Sequence, residues 1–161
     1  MLQNPTHTPA PNRLLRWLAP LWNSPRPLLV FSGIMALLGV FFALGIVVDS
    51  RMITGVPAWL KPLKFAISIT IYTLTMAWLL TFVRSDKRWK RRFVTITTWF
   101  ITITLALEIV AIGLQAFRGT TSHYNVSTAF DTFWWTVMAL AIMVLWFTNV
   151  AEAGVLLFER F

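Results

Sequence analysis

One carboxylate lies where carboxylates are costly. Glu108 falls inside the otherwise uncharged apolar run from Phe93 to Phe117. At membrane depth an acidic side chain costs about 2.5–3.5 kcal/mol on insertion scales, so it turns toward protein or water and commonly marks function. On a helix, Thr97, Thr104, Glu108 and Gln115 share one face. A second polar series, Lys61, Lys64, Ser68, Tyr72 and Thr75, also repeats at helical spacing. In two antiparallel helices counted from the same end, Glu108 comes level with Ser68, a turn deeper than Lys64. A Lys64–Glu108 pair is the expected arrangement. It has two readings: a proton or ion relay or headgroup anchor, or a buried group (paired, or neutral and bonded to Thr or Tyr) that serves assembly alone.

A second concentration of chemistry follows in one short loop: Gln115, Arg118, Gly119, Ser122, His123, Tyr124, Asn125 and Asp131. Arg118, with Lys61 and Lys64, offers a planar fork of donors and two ammonium groups to an anionic headgroup or carboxylate. His123 is able to move a proton near neutral pH. Ser122, His123 and Asp131 have the types of a hydrolytic triad, but adjacent Ser and His side chains need not face each other and no strained nucleophile turn is evident. Thr128 and Asp131 equally fit a helix capping box, and Asn125-Val126-Ser127 matches a short, common glycosylation sequon.

Several chemistries are removed by composition. The chain has no cysteine, which excludes disulfides, thiolate metal sites and cysteine catalysis within it. Its histidines, His7 and His123, fall outside the apolar runs, so axial haem ligation inside a helix is not expected and no cofactor or metal is assigned.

The elements that position these groups are read from hydropathy. Of 161 residues 57% are hydrophobic and 12% charged, and the mean hydropathy is +0.68. That is too little charge to cover a soluble domain. Residues 28–48, 59–83, 93–117 and 130–151 each supply about the 20 apolar residues that a bilayer core requires. The runs are too long, and alternate too little, for strands. The expectation is an all-α integral membrane four-helix transmembrane bundle spanning residues 28–161. Residues 1–27 form a cytoplasmic tail with a short amphipathic interfacial segment around Leu14, Leu15, Trp17, Leu18 and Trp22. This start is too polar for a signal peptide, and the first span is expected to remain in the mature protein. Ser32, Ala36, Gly39 and Ala43 form a small-residue face suited to close helix packing.

Orientation follows from Lys and Arg. Arg13, Arg16 and Arg26 precede the first span, and Arg84, Lys87, Arg88, Lys90, Arg91 and Arg92 separate the second from the third; the other side receives Arg51, Lys61, Lys64 and Arg118. The positive-inside rule sets both termini of this multi-pass protein in the cytoplasm. The net charge of +8 is then a retention signal and an anionic-lipid contact at Arg84–Arg92 rather than a nucleic-acid surface.

Trp59-Leu60-Lys61-Pro62-Leu63-Lys64-Phe65 and Gln115-Ala116-Phe117-Arg118-Gly119, followed by Ser122-His123-Tyr124-Asn125, resemble an uncharacterised bacterial family of multi-span membrane proteins. Its members carry a similar Lys-Pro-x-Lys-Phe, a similar Arg-Gly-x-x-Ser-His-aromatic-Asn loop, and an Asp near Asp131. The resemblance covers residues 55–150 or so and implies architecture rather than activity. Members continue into further spans, so it implies that the chain is a short member or the N-terminal half of a longer protein.

The functional expectation is an outward-facing polar vestibule that binds or conducts a small ion, proton or anionic headgroup, built from Lys61, Lys64, Glu108, Gln115, Arg118, His123, Asn125 and Asp131. Two alternatives stand beside it. One is an accessory or assembly subunit touching a membrane-protein partner or a second copy. The other is a membrane enzyme acting on a lipid or quinone headgroup, with His123 as acid–base and Arg118 as anion clamp.

Overall fold

The structure, a computed structural model, describes residues 24–83 and 86–159. The amphipathic segment expected before Trp22 lies outside them. Helices α1 (Arg26–Val48), α2 (Leu60–Leu79), α3 (Arg88–Phe117) and α4 (Ala129–Leu157) carry most of the described chain. All four are long and apolar enough to cross a membrane, α2 together with the 3-10 turn Leu80–Phe82 that prolongs it. The expected all-α bundle is thus what these residues form. α3 starts five residues before the apolar run and α4 runs six past it, because helical hydrogen bonding continues where hydrophobicity stops.

Local chemistry explains the boundaries. Pro25 and Pro27 open α1, and Pro62 lies in the first turn of α2, where a missing N–H costs no intrahelical bond. Thr128 caps α4 by accepting the Asp131 N–H at 3.1 Å, which is half of the expected capping box. Gly119 ends α3 with φ +74. Thr120 N donates to Gln115 O and Gly119 N to Ala116 O, each at 3.0 Å, which is the Schellman arrangement.

The connection from α1 to α2 departs from the all-helical expectation. Met52–Ile53 (β1) pairs antiparallel with Val56–Pro57 (β2). Thr54 and Gly55, at φ +48 and +82, make the two-residue turn between them, a geometry whose twist matches that of the strands. A two-residue strand is too short to leave a hydropathy signal.

α1 packs chiefly on α2 and α3 chiefly on α4, while α3 also touches α1 and α2 and is the most buried helix. The core joins Leu28, Phe31, Met35 and Phe42 of α1 to Ala66, Ile69 and Met76 of α2 and to Ile101, Leu105 and Ile109 of α3. Of the expected small-residue face, Ser32 and Gly39 are buried but Ala36 and Ala43 are exposed. The contact face instead mixes small and large residues. At Gly39 an added Cβ would sit 3.8 Å from Ala66 Cβ, so the backbones approach closely there. One end of the bundle carries the β hairpin and the α3–α4 loop (the hairpin end); the other carries the start of α3 with Arg88, Arg91 and Arg92 (the basic end).

Gly45 faces the indole of Trp59, and a Cβ there would meet Trp59 Cγ at 2.8 Å, whereas Gly33 has nothing within 4 Å. Gly45→Ala is expected to cost about 1–3 kcal/mol by overpacking. Gly33→Ala should be neutral or slightly stabilising. Thermal unfolding of the two variants in detergent checks the contrast.

Candidate functional site

The hairpin end is held by two ionic clamps. Asp49, just past α1, accepts Arg51 Nη2 at 2.6 Å and Trp59 Nε1 at 2.7 Å. Trp59 in turn stacks on Phe42 at 5.8 Å. Arg51 Nη1 donates to the Phe117 carbonyl at 2.7 Å, joining the α1–α2 connection to the last turn of α3. These donors hold the Asp49 carboxyl well below the usual carboxylate range, the Arg51 side chain first and then Trp59.

The second clamp absorbs three of the residues expected at a ligand site. Asp131 is 2% exposed. Its Oδ1 accepts from Gln115 Nε2 at 2.9 Å and from Arg118 Nη1, and its Oδ2 accepts from the Thr128 hydroxyl at 2.7 Å. Arg118 also donates to Gln115 Oε1 at 2.6 Å and lies over the Phe130 ring, 4.6 Å from its centroid. Asn125 is likewise engaged: its amide donates to Thr120 Oγ1 at 2.9 Å and Thr121 O at 3.0 Å, and its Oδ1 accepts Ser127 N at 3.1 Å. Gln115, Arg118 and Asp131 therefore fasten the end of α3 to the start of α4, and Asn125 braces the loop between them. The sequon nitrogen is taken up inside the loop.

No catalytic triad forms. Asp131 bonds Arg118, Gln115 and Thr128, while His123 Nδ1 lies 3.0 Å from Lys61 Nζ and 3.2 Å from Ser122 Oγ. An ammonium only donates, so Nδ1 accepts and the neutral ring carries its hydrogen on Nε2. Phe65 and Trp135 flank the imidazole, with centroids 6.0 and 5.6 Å away. Burial, and then the Lys61 charge, push His123 below its ordinary 6.5. Tyr124, in the left-handed region at φ +57, sets the loop's course past Trp135.

Below this group lies Glu108, 2% exposed. Neither of its carboxyl oxygens has a hydrogen-bond partner. The expected Lys64–Glu108 pair does not form: Lys64 is exposed, and Ser68 and Thr75 on the same face of α2 are exposed with it. Lys61, three residues earlier and about 60° round the helix, is half-buried and is the cation whose charge reaches Glu108, without an ion pair. On α3 the expected polar face holds, since Thr97, Thr104, Glu108 and Gln115 are all buried. A cavity of about 100 Å³ opens above Glu108, between the β hairpin and the α3–α4 loop. Lys61, Ser122, Thr120 and Ile112 line it, and Ile112 is one turn above Glu108 on α3.

Glu152 has the same condition in the other half of the bundle: it is 1% exposed, with both oxygens unpartnered. It lies outside the apolar runs, and its spacing from Thr148 and Asn149 is the signal that a longer fourth helix turns inward. Lys90, by contrast, pairs with Glu159 at 2.6 Å and with Asp86 at 3.5 Å at the basic end.

Comparison with known proteins finds no matching family model, curated protein or solved structure.

Between the ordinary histidine value of 6.5 and the lower native one, the unfolded chain takes a proton that folded His123 refuses. Stability from this site is therefore complete above 6.5 and falls as the pH drops toward the native value. The difference between the melting temperatures of the wild type and His123→Gln should be steady near neutral pH and shift on acidification, with the wild type losing more. Asp49 stays ionised through that interval. A difference unchanged by acidification would contradict the assignment.

Proposed function

We propose that this chain is a multi-pass protein of the bacterial inner membrane, with both termini cytoplasmic, that takes up a proton from the outer face onto Glu108. The four long apolar helices support the membrane setting, and the placement of Lys and Arg supports the orientation, with the hairpin end outward. One observation carries the activity: a buried carboxyl with neither oxygen partnered, beneath a small cavity whose mostly apolar wall carries the Lys61 ammonium and the Ser122 hydroxyl. An ionised carboxylate in such a place has nothing to solvate it. The group is accommodated as the neutral acid, or briefly as the anion when water enters.

A proton fits better than the other ligands considered. About 100 Å³ holds about three waters at roughly 30 Å³ each. That is too small for a lipid headgroup, and Arg118 is already spent on Asp131. The Lys61 ammonium on the cavity wall repels a metal cation, whereas a proton crosses by exchange along hydrogen-bonded water. Lys61, held on neutral His123, supplies a positive charge that stabilises Glu108 when it is ionised. At the basic end Arg88, Arg91 and Arg92 line a surface hollow of about 470 Å³ with Thr95, which supports an anionic-lipid contact within residues 84–92. The headgroup-enzyme alternative loses its anion clamp, because Arg118 is engaged by Asp131 and Gln115.

A second reading, an accessory subunit bound to a membrane protein or a second copy, is favoured by the outer loop, whose polar side chains mostly fasten helices together. The two readings part at Glu108. With the protein in liposomes, acidifying the hairpin side should alter the infrared carbonyl band of a protonated carboxyl, and Glu108→Gln should remove that band while leaving the fold intact by circular dichroism. A band unchanged by Glu108→Gln sinks the proton reading and leaves assembly.

A further inference from the structure

Polar side chains that hold this bundle together are bonded. Asp131 has three donors, Asn149 accepts from Tyr72 Oη and donates to Leu145 O, and Glu159 meets Lys90. Among the described residues, Glu108 and Glu152 are the ionisable side chains with buried oxygens that lack any partner. A group kept for packing alone gains nothing from that state, because an unsatisfied polar atom opposes burial. The matched condition of the two carboxyls calls for one explanation.

Glu152 is not isolated. Tyr72 of α2 donates to Asn149 at 2.8 Å, one turn before Glu152 on α4, and Tyr72 is close enough to feel the Glu152 charge. From α3, the Thr97 hydroxyl lies beside the carboxyl, while its 3.3 Å bond goes to the Val94 carbonyl. The next residue, Thr98, has an unpartnered buried hydroxyl and lines a cavity of about 560 Å³ at the basic end. A cavity thus lies toward each end of the bundle, the one at the basic end walled by the start of α1, the end of α2 and α3, with Thr98 next to Thr97 in its wall. Thr104 lies between them on the buried face of α3, one turn from Glu108. From Glu108 to Thr97 is about 16 Å along the helix at roughly 1.5 Å per residue.

We infer that Glu152 is a second proton-carrying group, so that Glu108 and Glu152 form the two stations of one proton path through the bundle, joined by water along the buried Thr104–Thr97 face. This rests on the reading of Glu108 as the outer station. In the step, the O–H bond at Glu108 breaks and its proton passes through water to the Glu152 carboxylate, where a new O–H bond forms. Glu108 is left as the anion opposite Lys61 and is reprotonated from the hairpin-end cavity; Glu152 releases its proton to water of the basic-end cavity. The titratable or charged groups facing the path are Lys61 at Glu108, Tyr72 at Glu152 and Arg91 on the wall of the basic-end cavity. Lys90, Asp86 and Glu159 are engaged with one another at the basic end.

The test uses the full chain in liposomes with a trapped pH-sensitive dye, alongside the infrared response of Glu108 to pH on the hairpin side. Wild type should pass protons under an imposed gradient. Glu152→Gln should reduce that flux at least tenfold while Glu108 still responds, and Glu152→Asp, which keeps a carboxyl, should recover most of the flux. Glu108→Gln should abolish flux and response together. Wild-type flux in Glu152→Gln overturns the inference and leaves the outer station standing. So does a responsive Glu108 with no wild-type flux, or Glu152→Asp conducting no better than Glu152→Gln. A wild type with neither flux nor Glu108 response overturns the proposed function itself.

Discussion

Inside a bundle of apolar helices a polar atom has no water to fall back on, so the chain must supply each partner itself. The threonines meet this demand locally. Thr70, Thr73, Thr75, Thr102, Thr104 and Thr148 all turn their hydroxyls onto carbonyls of the preceding turn. They can therefore sit on any face of a helix at little cost, and a stripe of them says little by itself. Longer polar side chains cannot be satisfied this way. Each needs a group on another helix or a loop, and those pairings determine how the helices meet: Tyr72 with Asn149, Asp131 with Gln115 and Arg118, Lys90 with Glu159.

The same demand divides the loop cluster into scaffold and site. Arg118, Gln115, Asn125 and Asp131 are the residues most easily mistaken for a ligand-binding set, because a cation, amides and a carboxylate occur together in one segment. The bonds of Arg118, Gln115 and Asp131 close on one another, and those of Asn125 close within the loop. What remains beside the cavity is Lys61, Ser122 and His123, with Glu108 beneath, a smaller and less symmetric group. Its distinctive element is a charge balance: one ammonium is shared between a neutral imidazole that accepts from it and a carboxyl that is not paired to it. Glu152, at the far side of the same buried face, repeats the orphan carboxyl without a neighbouring cation. The electrostatic settings of the two carboxyls therefore differ.

Much of the architecture was legible in the residues alone. Four apolar runs of sufficient length specify four helices, since length and hydropathy are local properties, and Thr128 with Asp131 marked the start of α4. Glu108 and the buried face of α3 were legible too, because a lone charge in an apolar run has few acceptable places. What tertiary structure alone decided was rotation and pairing. Lys61 rather than Lys64 faces the carboxyl; Ala36 and Ala43 point outward while Phe31 and Phe42 point in; Glu152 turns into the bundle. A helix that is apolar on all sides carries no amphipathic signal to say which side is the inside. Its rotation is chosen by the neighbours it packs against, and those contacts join residues too far apart in the chain for spacing along it to record.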